Sequence, residues 1–169
     1  AEFTNGKVKS GTLELLSAAK TAGAEISAMV FGPGAKSTTK ELGSYGAKQV
    51  YVCEAESLKD YNSELFTEVV GAVIKKSGAS TVLASGSMAA RDLFPRVAAR
   101  LGAGVIGDCT GLTISGDNVS VQRPLYSGKA TAKVDFQNCD VKIVLMRANQ
   151  LPVSAPDAAA NAEVVDVPA

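Results

Sequence analysis

Histidine is missing altogether from this 169-residue chain. Its absence removes the commonest general base near neutral pH and the commonest metal ligand, which excludes a histidine-dependent triad and a histidine zinc site. Cysteine is sparse: Cys53, Cys109 and Cys139 are odd in number, far apart and outside any Cys-x-x-Cys spacing, as expected of buried, reduced thiols in a cytosol-like compartment. Net charge is missing too, with 17 Lys plus Arg against 17 Asp plus Glu. Nothing therefore points to a field that would collect nucleic acid or an anionic membrane. No basic segment precedes an apolar stretch, and no apolar run approaches the ~20 residues that cross a bilayer, so a soluble chain without membrane insertion is expected. There is no Walker loop, no paired-carboxylate arrangement and no nucleophile beside a base, so catalysis has no visible machinery.

What is present is core-forming material, 46% hydrophobic, enough for one domain plus a tail. Between Gly11 and Ala22 the apolar residues Leu13, Leu15, Leu16, Ala18 and Ala19 predict a helix with Glu14, Ser17 and Lys20 facing water, ended by Gly23. Glu25 to Phe31 predicts a strand before the turn Gly32-Pro33-Gly34, then a helix from about Lys36 to Tyr45. A strand at Gln49–Cys53 is followed by a helix starting near Ser57 to Asp60, and a strand at Thr81–Ser85 by a helix over Met88–Leu101. Pro95 is expected in or near the first turn of that last helix, where a missing amide costs nothing.

This alternation predicts an α/β fold, a three-layer, doubly wound, mostly parallel sheet. The second half changes character. Val105-Ile106, Leu112–Ile114, Val119–Gln122, Ala130–Phe136 and Val141–Met146 are short β-rich runs expected to add antiparallel strands. Residues 1–147 are thus expected to form the α/β domain, with 148–169, rich in Ala, Pro and Asp, as a linker or docking strap. At the other end, Ala1-Glu2-Phe3 runs directly into the turn-like Thr4-Asn5-Gly6, whereas such folds normally begin on a buried strand. Were residues missing upstream, the sheet would lack one central strand.

Gly102-Ala103-Gly104-Val105-Ile106-Gly107 matches a dinucleotide fingerprint as text, but it follows a helix instead of opening one, so it is read as a helix stop. Gly32-Pro33-Gly34 and Gly86-Ser87 lie where open sheets place ligands, although no Lys or Arg directly neighbours either glycine. Arg91, Arg96 and Arg100 form either an exposed ion-pair network or an anchoring site for a partner. Arg123-Pro124-Leu125-Tyr126-Ser127-Gly128-Lys129 reads as a surface hairpin arm, with an interface hot spot favoured over a solvated loop. Arg91, Arg96, Arg123, Tyr126 and Lys129 are the candidate interface residues; none is assigned to catalysis, cofactor or metal.

Several blocks, in order, resemble the α subunit of electron transfer flavoproteins. These are Asn5-Gly6-Lys7-Val8 leading to Thr12-Leu13-Glu14-Leu15-Leu16, then Arg91-Asp92-Leu93-Phe94-Pro95-Arg96-Val97-Ala98-Ala99-Arg100-Leu101, then Gly107-Asp108, then Arg123 to Ala130. Val164-Val165-Asp166-Val167 is similar to the linker before the family's second α domain, which favours the α over the homologous β subunit. The resemblance implies an adenine nucleotide hydrolase-like fold and the scaffold domain of an electron carrier. Its partner would be a β subunit that buries AMP, with most FAD contacts in the second α domain. The complete protein would pass electrons from acyl-CoA and other dehydrogenases, as in fatty acid β-oxidation, to a membrane quinone oxidoreductase, in the bacterial cytoplasm or mitochondrial matrix. The competing reading is a nucleotide-binding, stress-protein-like α/β domain, which would need phosphate donors near Gly32 or Gly86.

Overall fold

The computed structural model describes residues 1–169. A short hairpin, β1 (Phe3–Thr4) and β2 (Lys7–Val8), leads into α1 (Ser10–Thr21) and β3 (Ser27–Phe31). A 3-10 turn at Ala35–Thr38 runs into α2 (Thr39–Ser44), followed by β4 (Gln49–Cys53), α3 (Ser63–Ser77), β5 (Thr81–Ser85) and α4 (Met88–Leu101). Then come β6 (Gly104–Cys109), β7 (Gly111–Ser115), β8 (Asn118–Leu125), β9 (Ala130–Asp135), β10 (Lys142–Met146) and β11 (Glu163–Asp166). No helix is long and apolar enough to cross a membrane.

Two parallel three-stranded sheets, β11-β4-β3 and β5-β10-β6, form the middle layer, and β7-β8-β9 make an antiparallel sheet beside them. Strand alternation sends Ala28, Val30, Val50 and Val52 toward α1 and α2, where they pack with Leu16, Ala19 and Leu42. It sends Val82, Ile143 and Leu145 the other way, onto Val70 and Ile74 of α3 and Leu93, Phe94 and Val97 of α4. Helices on both faces explain why the strands are nearly continuous apolar runs. The expected α/β class and doubly wound layering are both present.

Several local expectations are corrected. Val141–Met146 does not add an antiparallel strand: β10 enters between β5 and β6 and is parallel to both. Ile143 and Val144 are fully buried, and an apolar run with no polar alternation belongs in a sheet centre. β6 likewise joins the parallel sheet, so of these second-half runs β7, β8 and β9 alone are antiparallel. Pro95 lies well inside α4, where it lacks the amide that would bond the Arg91 carbonyl; the helix continues because Leu93, Phe94, Val97 and Ala98 bury its inner face. Helix α3 starts later than Asp60, at the cap Asn62, whose side chain accepts from the amides of Glu64 and Leu65.

Glu14 and Ser17 do not face water; only 4% and 2% of their surfaces are exposed. The Glu14 carboxylate accepts from the amides of Asn149, Gln150 and Leu151 at 2.9, 3.0 and 3.1 Å. The Ser17 hydroxyl accepts from the Ser154 amide at 3.0 Å. These bonds hold residues 149–154 against α1, and the strap then continues to β11, which pairs with β4 in parallel register. Gly43 makes room for its passage, since a Cβ there would lie 2.8 Å from the Ala162 nitrogen.

Candidate subunit interface

The register of β6 against β10 slips between Val144 and Met146, and Asp108 takes a left-handed conformation (φ 62°) at the irregularity. A short polar side chain tolerates that conformation, and such a bulge re-aims a side chain. Here the Asp108 carboxylate turns toward Arg147 at the end of β10, whose Nε and Nη2 donate to it at 2.5 and 2.8 Å. Arg91, in the first turn of α4, stands 4.0 Å from the same carboxylate, while its Nε donates to the Gly86 carbonyl at 2.9 Å. Arg123 on β8 adds its charge to the surroundings of Asp108 without pairing with it, and its buried Nε has no hydrogen-bond partner. The Arg147 hydrogen bond, reinforced by the charges of Arg147, Arg91 and Arg123, holds Asp108 below the usual carboxylate range. Next to it, burial pushes the Cys109 thiol up to about 11, consistent with an inert core thiol.

Beyond this cluster β8 and β9 leave the body as the expected arm. Val119 and Val121 anchor its base against Leu15, Val144 and Met146. From Leu125 to Thr131 every residue is exposed, while Arg123 to Leu125 still pair with Ala130 to Ala132. At the tip Tyr126 and Ser127 are both left-handed (φ 50° and 56°), which costs energy for residues bearing a Cβ. Tyr126 is 80% exposed, and Lys129 is exposed beside it.

Arg96 is separate from both. It pairs with Asp92 one turn earlier at 2.9 Å, and Asp92 also accepts from the Tyr61 hydroxyl at 2.7 Å. Burial first, and then the bond to Asp92, push Tyr61 up to about 12. Arg100 meets Glu68 of α3 at 3.6 Å, so the outer side of α4 carries the ion-pair network. The structure therefore sets Arg91 and the charge of Arg123 near Asp108, places Tyr126 and Lys129 at the arm tip, and leaves Arg96 in an ion pair within α4. Sequence reasoning missed Arg147 and Asp108 as members. The available signal was Asp after Gly107 at a strand end, a residue type suited to a left-handed bulge.

The electron transfer flavoprotein domain model matches residues 1–169, the whole chain. The chain belongs to the electron transfer flavoprotein domain family. It is 29% identical to the electron transfer flavoprotein subunit alpha of Bacillus subtilis over 168 residues, 98% of this chain and 51% of that one. The corresponding subunit of Syntrophomonas wolfei is 34% identical over 134 residues, 79% of this chain and 42% of the relative. An acryloyl-CoA reductase electron transfer subunit beta from Anaerotignum propionicum is 34% identical over 117 residues, 67% of this chain and 32% of that protein. The chain thus spans about half the length of the curated relatives it matches, and the terms flavoprotein and electron transport attach to it through its family.

Membership in a flavoprotein family raises the question of whether these residues fit a flavin. They do not. An open hollow of about 420 Å³ is lined by Gly6, Ser37, Lys40, Glu41, Ser44, Pro156 and Ala158, with no apolar slot for an isoalloxazine ring. The strand-end loops are no better suited to phosphate. Glu54 accepts the Lys36 amide after Gly32-Pro33-Gly34, and the Lys36 ammonium is engaged by Asp166 at 3.1 Å. At the start of α4, Glu2 accepts from the Ser87 hydroxyl. Carboxylates stand where an anion would need donors.

Proposed function

We propose that this chain is the supporting, non-catalytic domain of an electron transfer flavoprotein α subunit, pairing with a β subunit and carrying the FAD domain on its far side. The observation that carries this reading is a family match over the whole chain combined with relatives about twice its length. In this reading residues 1–147 are the scaffold, and 148–169 form the strap that leads toward the FAD domain. The exposed arm with Tyr126 and Lys129, and the cluster where Arg91 and Arg147 pair with Asp108 beside Arg123, supply the β-subunit contact, since Tyr and Arg anchors dominate interfaces. Arg96, paired with Asp92 apart from the arm and the cluster, is the remaining candidate contact. The flavin performs the redox step when bound, while this domain holds subunit and flavin domain in register and leaves the latter free to swing. The complete protein takes electrons from acyl-CoA and other dehydrogenases, passes them to a quinone oxidoreductase, and works in the cytoplasm or mitochondrial matrix; AMP resides in the β subunit.

Purifying the chain alone and with a β subunit tests this. The lone chain is expected to be colourless, silent in calorimetry with ATP and AMP, and to form a tight one-to-one complex with β. Stoichiometric flavin absorbance from the chain alone would refute the scaffold role. Clear one-to-one binding of ATP or AMP would favour the nucleotide-binding reading instead.

A further inference from the structure

The 17 positive and 17 negative side chains cancel in number but not in position. From Asn118 to Val134, along β8, the arm tip and most of β9, stand Arg123, Lys129 and Lys133 and not one carboxylate. Parallel strands bring two more cations to the same end of the molecule. Arg147 directly follows β10, Asp108 lies at the end of β6, and Arg91 is in the first turn of α4, which follows β5. The carboxyl edge of an open α/β sheet is where such folds bind other molecules. Asp108 is the one carboxylate that pairs with Arg91 or Arg147, and the charge of Arg123 is felt there too. Three guanidinium charges around one carboxylate leave a surplus of two.

That surplus is within reach of solvent. The side chains of Arg91 and Arg147 are 53% and 46% exposed. Arg123 is in no ion pair, and its Nε is buried without a partner, an arrangement that destabilises the free chain. Guanidinium forks match carboxylates and phosphates alike, but a phosphate at such an edge draws on helix amides as well. At α4 the Ser87 side chain already takes the Ala90 amide, and the Glu2 carboxylate stands on the Ser87 hydroxyl, so a phosphate would meet negative charge. Carboxylate side chains need only the forks.

We infer that the surface formed by Arg91, Arg123 and Arg147 receives an acidic segment of the β subunit, two of whose carboxylates offset the surplus while Leu125 and Tyr126 supply the apolar part of the contact. The inference rests on the scaffold reading and names the chemistry of its contact. Asp108 serves as the internal brace. Its two bonds with Arg147 fix that guanidinium in place, while Arg123 keeps its Nε donor for the partner.

The test titrates the chain and its Arg123→Met variant with a β subunit at about 0.05 and 0.5 M salt. Wild-type affinity should fall about tenfold between the two. Arg123→Met should weaken the complex about 30-fold or more at low salt and flatten the salt dependence. The same variant should leave the Tm of the lone chain unchanged or raise it, because it removes a buried donor that bonds to nothing. Lys129→Gln, on the exposed arm, should slow association about threefold and leave dissociation alone. A tight complex indifferent to salt and to Arg123→Met would overturn the acidic docking and leave the scaffold reading standing. Failure to form any complex would overturn both. A Tm of the lone variant lower by about 5 °C or more would make Arg123 a structural residue and overturn the docking. Inorganic phosphate that raises the Tm of the wild-type chain but not of Arg123→Met, with β binding untouched by the substitution, would assign the cluster to a free anion and overturn it as well.

Discussion

Strand β10 and the outer half of the β8–β9 hairpin use the same backbone geometry for opposite purposes. Ile143 to Met146 are 0–3% exposed between two parallel neighbours, so each side chain contributes burial energy and none is free to meet another molecule. Arg123 to Leu125 and Ala130 to Ala132 keep their ladder with almost no core beneath them, and the tip carries two left-handed residues and an exposed tyrosine. A ribbon of that kind gains little by folding on its own, so its residues are available for recognition. The body supplies stability and the arm supplies contact.

The sharpest way to break that contrast is in the body. Ile143→Ala opens a cavity in the centre of the parallel sheet and should cost about 2–5 kcal/mol in denaturant unfolding. Glu14→Ala strips the buried acceptor from three strap amides and should cost about 1–3 kcal/mol. It should also open residues 149–160 to proteases while α1 stays protected. Asp108→Asn acts where body and arm meet, with a smaller, pH-dependent effect. The folded state holds the Asp108 carboxyl below its ordinary value of 3.8, so its stabilisation is complete above that value and is lost as pH falls through the folded one. The gap in Tm between wild type and variant should therefore be widest near pH 6 and close as the solution is taken below pH 3.8. Tyr126→Ala sits at the far end of the scale. It should leave unfolding within about 0.5 kcal/mol of wild type, yet weaken the complex with a β subunit by about tenfold or more. A large loss of stability in that variant would erase the distinction between arm and body.

Legibility in the sequence followed the range of the interactions involved. Helix α4 was readable to the residue because Ser87 and Gly102 punctuate it and its apolar spacing lies within one segment. The stop at Gly102 also disposed of the apparent dinucleotide motif, and the hairpin was visible from Pro124, Ser127 and Gly128. Glu14 was misassigned because a carboxylate on a helix normally marks the wet face, and its partners lie about 135 residues away. β10 was given the wrong direction for a related reason. An apolar run states that it is buried but not between which strands. The Asp108 cluster stayed hidden because Arg91, Arg123 and Arg147 come from three separate elements.

By itself the sequence determined the element types, the α/β layering, the absence of histidine chemistry and the family, since periodicity, punctuation and composition are carried by neighbours along the chain. Tertiary structure alone decided where β10 inserts, what Glu14 holds, and how Arg91 and Arg147 meet on Asp108. Those are matters of which edges and charges meet, and that depends on contacts between residues far apart in the chain, which no local pattern encodes.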